Sequence, residues 1–299
     1  MITEPVLSAT DYLALPRDVN NWLLHPLLPV GGSMELYGDP KVGKSYAALQ
    51  LALVLTGAGP SDWFGFPTQA TGRVVYVQLD TPRSLWAERL AALKHAGHPI
   101  EALYLADRET LQTWPFDVLN PDHECLLRAA LVPLNPVAVI IDTLKESNSA
   151  PENDNTEMTT AVNKLISITQ PAALILIHHA KKPGELERDV INDSRGAGAT
   201  PGKMDAICRL SKKGLHYVGR GIEEGFIELV RGDDGFWVEP DHNNLVSLID
   251  RILSDHNLHS DRERAAALAP LLGRSEEAAR SAIRRFRAGI STRTGCKTA

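Results

Sequence analysis

A chain of 299 residues, 43% hydrophobic and 23% charged, is long enough for one sizeable domain plus a small one and too apolar to be disordered. Three scattered cysteines, Cys125, Cys208 and Cys296, exclude a C-x-x-C zinc site and a disulfide framework. The net charge of −6 hides an asymmetry, because from Leu245 onward ten basic residues face six acidic ones: an acidic body carries a basic tail, compatible with nucleic-acid contact. No uncharged run approaches the ~20 residues of a membrane span, and the first thirty residues mix acids with prolines. A soluble cytoplasmic protein with no membrane partner is the expectation.

In chain order, a lead-in through Asn20-Asn21-Trp22-Leu23-Leu24 closes on the Gly31-Gly32 turn. Trp22 either packs on the domain or lies near a nucleotide base. A short apolar run, Ser33 to Tyr37, then leads into Gly38-Asp39-Pro40-Lys41-Val42-Gly43-Lys44-Ser45, which matches G-x-x-x-x-G-K-[ST] between a strand and a helix. Glycines let successive backbone N–H groups face one anion, and the following helix adds its positive end. The candidate nucleotide-contacting residues are Gly38, Asp39, Pro40, Lys41, Val42, Gly43, Lys44, Ser45 and Tyr46, with ATP and Mg²⁺ as the expected cofactors. Lys44 would reach the β- and γ-phosphates and Ser45 would coordinate Mg²⁺. The alternative is a glycine loop that merely turns the chain.

The next helix, Tyr46 to Thr56, sets Ala48, Leu51, Ala52 and Leu55 on one face. A Gly- and Pro-rich loop carrying Trp63, Phe64 and Phe66 follows, then a buried strand, Val74 to Leu79, ending at Asp80. Thr81 is read as the cap of a helix that starts at Pro82 and closes at Gly97. Leu103 to Leu105 is a further short strand, and Asn120-Pro121 opens a helix through Ala130.

Val137 to Asp142 reads as a central parallel strand that delivers a carboxylate to the sheet's carboxyl edge, where α/β folds bind ligands. Asp142 would hold Mg²⁺ through water, with Thr143 assisting; an aspartate that only starts a turn is the alternative. After an exposed acidic loop and a helix to about Thr169, Ala173 to His179 forms another buried strand ending in two histidines. Neighbours on a strand point to opposite faces, so His178 and His179 cannot easily chelate one metal, but one of them can face a γ-phosphate. The polar stretch from Ala180 to Ser194 has the length of a functional loop. Beyond Met204, runs at 206–210, 217–220, 226–230 and 236–238 look like an antiparallel extension of the sheet.

The tail differs in kind. Leu245 to Leu253 marks one helix, Arg262 to Leu272 a second, and Ser275 caps a third bearing Arg280, Arg284, Arg285 and Arg287. This succession resembles a helix-turn-helix or winged-helix module; the alternative is a small solvated helical cap. The expected division is residues 1–240 for the main domain and 241–299 for the small basic one.

GDPKVGKS, VVYVQLD, VAVIID, LILIHH and SRGAGA, in that order, resemble the RecA-like AAA-type P-loop ATPases, especially plasmid RepA-type hexameric replicative helicases and related phage ATPases, over roughly Trp22 to Pro240. The resemblance implies a RecA-like α/β core with a mainly parallel sheet, in which the histidine-ended strand lies between the P-loop strand and the aspartate strand. It implies a ring, a hexamer, with single-stranded DNA facing the loop after His179, where Lys181, Lys182 and Arg188 would track phosphates. His179 becomes the γ-phosphate sensor. Asp80 stands where the family carries a carboxylate, usually glutamate, that orients the attacking water; here it is one bond shorter. Arg220, in Val218-Gly219-Arg220-Gly221, fits the arginine that such enzymes insert into a neighbour's site, with Arg195 as the second candidate. The implied function is ATP hydrolysis driving a DNA helicase. An ATP-switched DNA-binding regulator or loader is the rival reading, and a small-molecule kinase a third.

Overall fold

The computed structural model describes residues 6–15, 21–113, 115–151, 154–180, 201–232, 235–240, 249, 252–253, 258–271 and 276–287. In chain order the elements are α1 (Ala9–Ala14), β1 (Trp22–Leu24), β2 (Leu28–Pro29), β3 (Ser33–Gly38), α2 (Lys44–Thr56), β4 (Asp62–Trp63), β5 (Phe66–Pro67) and β6 (Val74–Gln78). There follow α3 (Arg83–His95), β7 (Leu103–Asp107), α4 (Pro121–Leu131), β8 (Ala138–Asp142), α5 (Asn155–Thr169) and β9 (Ala173–His179). The later elements are β10 (Ala206–Ser211), β11 (Gly214–Gly219), β12 (Ile222–Glu228), β13 (Val230–Arg231), β14 (Trp237–Val238), α6 (Asp261–Leu271) and α7 (Glu276–Arg287).

Eight strands form one sheet in the order β12-β11-β10-β3-β9-β8-β6-β7, and β10, β3, β9, β8, β6 and β7 run parallel. The histidine-ended β9 thus lies between β3 and β8, the arrangement of a RecA-like α/β core. Every residue of β3, β6 and β8 is buried, as expected of strands covered on both faces. One core layer joins the sheet to α2 and α3 through Leu51, Ala52, Trp86 and Ile140; the other joins it to α4 and α5 through Leu127, Val162, Leu165 and Ile141. Local signals set the helix starts: Asn120 accepts a hydrogen bond from the Asp122 amide ahead of Pro121, and Asp154 accepts from Thr156 and Glu157.

Three expectations change. Strand β10 pairs in parallel with β3, so only β11 and β12 extend the sheet antiparallel, while β13 and β14 form a separate ribbon. The reason is topological: β10 follows a crossover from β9 to the far side of β3, and a crossover returns a strand in the same direction. Helix α2 buries residues around most of its circumference instead of on one face. Its outer side is covered by two ribbons: Trp63 Nε1 donates to the Ala47 carbonyl at 3.1 Å, and Gln50 exchanges two hydrogen bonds with the Trp237 backbone at 2.7 and 2.9 Å. Helix α3 begins after Pro82, with no side-chain cap from Thr81.

In the tail, α6 and α7 pack on Ile249 and Ile252 through Ala265, Leu268, Ala279 and Ile283, a cluster of their own. Among the described residues no helix is long and apolar enough to cross a membrane.

Candidate functional site

The P-loop leaves the carboxyl end of β3 where space is tightest. A Cβ on Gly38 would collide with the Leu210 carbonyl of β10, so only glycine fits the strand's last position. Gly43, at the N-cap of α2, has φ of +105°, which an L side chain adopts only with strain. Turned this way, the loop folds back over its own lysine. Lys44, 6% exposed, donates from Nζ to the Gly38 carbonyl at 3.0 Å and the Asp39 carbonyl at 2.9 Å. Its Nζ also lies 3.3 Å from His179 Nδ1. An ammonium has no lone pair to offer, so this Nδ1 is the acceptor and any ring proton sits on Nε2.

Asp142 ends β8 beside Gln78 in the sheet and is 2% exposed. Its Oδ2 accepts a hydrogen bond from the Tyr76 phenol at 2.8 Å, and the Ser45 hydroxyl bonds to the same carboxylate. Burial pushes the Asp142 carboxyl above the ordinary range, against which the Ser45 and Tyr76 hydrogen bonds and the Lys44 charge work to keep it ionised.

These groups converge on a cavity of about 360 Å³ lined by Lys41, Gly43, Lys44, Ser45, Tyr46, Asp80, Thr81, Arg89, Asp142, Thr143, His179 and Arg231. The P-loop, Asp80, Asp142 and His179, read from four separate stretches of sequence, therefore meet at one edge. Gly38 and Asp39 serve through their carbonyls, and Pro40 and Val42 complete the loop without lining the cavity. His178 is fully buried on the other side of the strand. Trp22 lies against His25 at 5.5 Å in an edge-to-face pair, away from the cavity lining.

Arg220 is placed differently. Gly219 pairs with Ala206 at the amino end of β10, whereas Leu210 pairs with Gly38 of the P-loop, so Arg220 belongs to the opposite edge of the sheet. Its side chain is 69% exposed and lies 3.4 Å from Asp205. It does not join its own chain's cavity. Arg195, Lys181, Lys182, Arg188 and the cap at Ser275 lie outside the described residues.

Sequence reasoning missed Arg89, Arg231 and Tyr76. Arg89 on α3 and Arg231 on β13 both stand over the Tyr46 ring, at 4.7 and 4.9 Å from its centroid, and both line the cavity. The one available signal was the i, i+3 spacing of Trp86 and Arg89, which places both on one helix face. Arg231 has no such signal, since a two-stranded ribbon carries it back over α2.

The lining suits a triphosphate with its metal. Arg89 Nη1 and Thr143 Oγ1 are buried with no hydrogen-bond partner among the described residues, donors at a cavity wall that phosphate oxygens or water would satisfy. Ser45 and Asp142 offer hard oxygen ligands of the type Mg²⁺ takes. No group of three or more His, Cys, Asp or Glu among the described residues could hold a metal, so the ion's remaining positions would fall to phosphate and water.

The family model described as an AAA domain matches residues 3–185, more than half of the chain. No curated protein sequence matches. Among solved structures, a KaiC-like protein from the hyperthermophilic archaeon Pyrococcus horikoshii OT3 is 14% identical, with a TM-score of 0.47, over 75% of this chain and 98% of that one. With its P-loop and the family match over more than half of its length in place, this chain belongs to the AAA-domain family, as a P-loop ATPase.

Proposed function

We propose that this protein is a Mg²⁺-dependent ATP-hydrolysing motor that assembles as a ring, a hexamer, and acts on single-stranded DNA, in the manner of RepA-type replicative helicases and related phage replication or recombination ATPases. One observation carries the reading: Lys44 and His179 are in contact across the floor of the phosphate cavity, so the group that grips the nucleotide touches the strand that leads to the loop expected to face DNA. Lys44 draws the β- and γ-phosphates into the loop, and Ser45 and Asp142 hold the metal side of the site. Bound Mg²⁺ neutralises charge on the β- and γ-oxygens. Asp80, exposed at the cavity rim, orients the attacking water and takes its proton. His179 loses Lys44 as its neighbour when the lysine moves to phosphate, and passes that change to the segment after it. Arg220 completes the site of a second copy, to which its exposure on the far edge suits it.

Unwinding of a forked DNA duplex tests the proposal. ATP-dependent unwinding that disappears in Lys44→Ala supports it; hydrolysis with no unwinding and no response to single-stranded DNA argues against it.

The rival reading, an ATP-switched DNA-binding regulator or loader, is favoured by the α6–α7 pair, whose second helix carries Arg280 and Arg284 beside its own small core. The short reach of Asp80 also favours slow hydrolysis, because a small misplacement of the base costs rate steeply. DNA binding that needs residues 241–299 but not hydrolysis would choose this reading.

A further inference from the structure

We infer that Tyr76 is a positioning residue for the metal-holding carboxylate: its phenol fixes which oxygen of Asp142 faces the cavity, and so sets how strongly the site uses Mg²⁺. The inference rests on the nucleotide-and-metal reading above.

Tyr76 sits in the middle of β6, opposite Ile140 of β8, while Gln78 stands opposite Asp142. Tyr76 and Asp142 are therefore diagonal neighbours on one face of the sheet, a separation that only a long side chain bridges. The ring is fully buried in the core layer shared with Ile140 and α2. For packing alone, phenylalanine would serve there. The hydroxyl is the one polar atom the residue brings into that layer, where it would be costly without a partner, and it spends its proton on Asp142 Oδ2 at 2.8 Å.

The ring is held in place. Trp86 of α3 packs against it with centroids 4.6 Å apart, and the Arg89 guanidinium lies 5.4 Å from the Trp86 ring. Arg89 also covers Tyr46, so a continuous column of rings and guanidinium runs from the carboxylate to the wall of the phosphate cavity. With Oδ2 held by the phenol, Oδ1 is left for the cavity, and the Ser45 hydroxyl bonds both the carboxylate and the phenol. The carboxylate is thereby fixed in a one-oxygen presentation, which suits a small ion that keeps water ligands and takes few from protein. Loss of the hydroxyl would leave Oδ2 buried without that donor and free the carboxylate to rotate. Partners one shell away from a metal commonly shift metal affinity by about 10–100-fold when removed.

The test is equilibrium binding of a fluorescent ATP analogue to the full-length protein, with EDTA and with Mg²⁺, in wild type, Tyr76→Phe, Trp86→Phe, Asp142→Asn and Tyr76→Phe/Asp142→Asn. Tyr76→Phe keeps the ring and its stacking and should show the circular dichroism of wild type, with a somewhat lower thermal transition because Oδ2 loses its donor. Its affinity in EDTA should stay within about twofold of wild type, while the tightening produced by Mg²⁺ falls by about 10-fold. Trp86→Phe, which keeps the hydroxyl, should retain that tightening. Asp142→Asn should lose it, and the double variant should lose no more than Asp142→Asn alone. Equal Mg²⁺ tightening in wild type and Tyr76→Phe overturns this inference alone, as does an equal loss in Trp86→Phe, which would trace the effect to packing. Failure of the wild type to bind the analogue in either condition removes the nucleotide reading itself.

Discussion

At the carboxyl ends of β3, β8 and β9 the chain buries charge, and at the amino edge of the same sheet it leaves charge in water. Lys44 and Asp142 are 6% and 2% exposed, whereas Arg220 is 69% exposed. A charge taken out of water acts strongly on whatever shares its cavity, because the local dielectric no longer screens it. An exposed charge contributes little to its own fold, as expected of the 3.4 Å pair between Arg220 and Asp205. On the proposed reading the two edges divide the labour: one acts within the subunit, and the other acts on a neighbour.

The sharpest way to break that division is Arg220→Ala. The account expects hydrolysis to fall by about 10³-fold with nucleotide affinity unchanged. Mixing this variant with Lys44→Ala should restore activity, because each supplies what the other lacks; absence of any recovery on mixing would confine the arginine to a structural role. Lys44→Ala on its own should reduce hydrolysis by about 10²–10³-fold and also weaken nucleotide binding, since it removes a preorganised charge from the cavity. Unchanged nucleotide affinity in that variant would place the triphosphate elsewhere.

The remaining predictions concern the frame of each edge. Gly38→Ala forces a Cβ against the Leu210 carbonyl and should destabilise the protein by about 1–3 kcal/mol, read from urea unfolding. An unchanged midpoint would mean that β10 yields more easily than its parallel pairing with β3 suggests. The smallest effect lies beside Asp80, where Arg83 holds the Asp107 carboxyl down to about 2. The folded value is below the unfolded one, so the stabilisation is present above pH ~4 and is lost as pH falls towards 2, and it is small because the arginine is solvated. In Arg83→Ala, an NMR titration should find Asp107 back near the ordinary carboxylate range.

The legibility of the molecule follows the same line between the edges. Asp80, Asp142 and His179 could be read because buried parallel strands announce themselves as apolar runs, and the residue just past each run falls at the carboxyl edge. Arg89, Arg231 and Tyr76 could not. Arg89 hangs from a helix whose rotation about its axis is set by packing, Arg231 rides a ribbon folded back over α2, and Tyr76 looks like any other strand residue until its hydroxyl is seen to meet Asp142. The same limit misassigned β10, because alternation predicts a strand without its direction. It also misread α2 as one-faced, since the ribbons that cover its outer side come from far along the chain.

The most direct trial is a crystal structure with a non-hydrolysable ATP analogue and Mg²⁺. The account predicts Lys44 Nζ drawn away from the Gly38 and Asp39 carbonyls onto the phosphates, with the ion between Ser45 and the phosphate oxygens and Asp142 facing it. An analogue bound outside this cavity, or Lys44 still held by both carbonyls with the analogue in place, would contradict it.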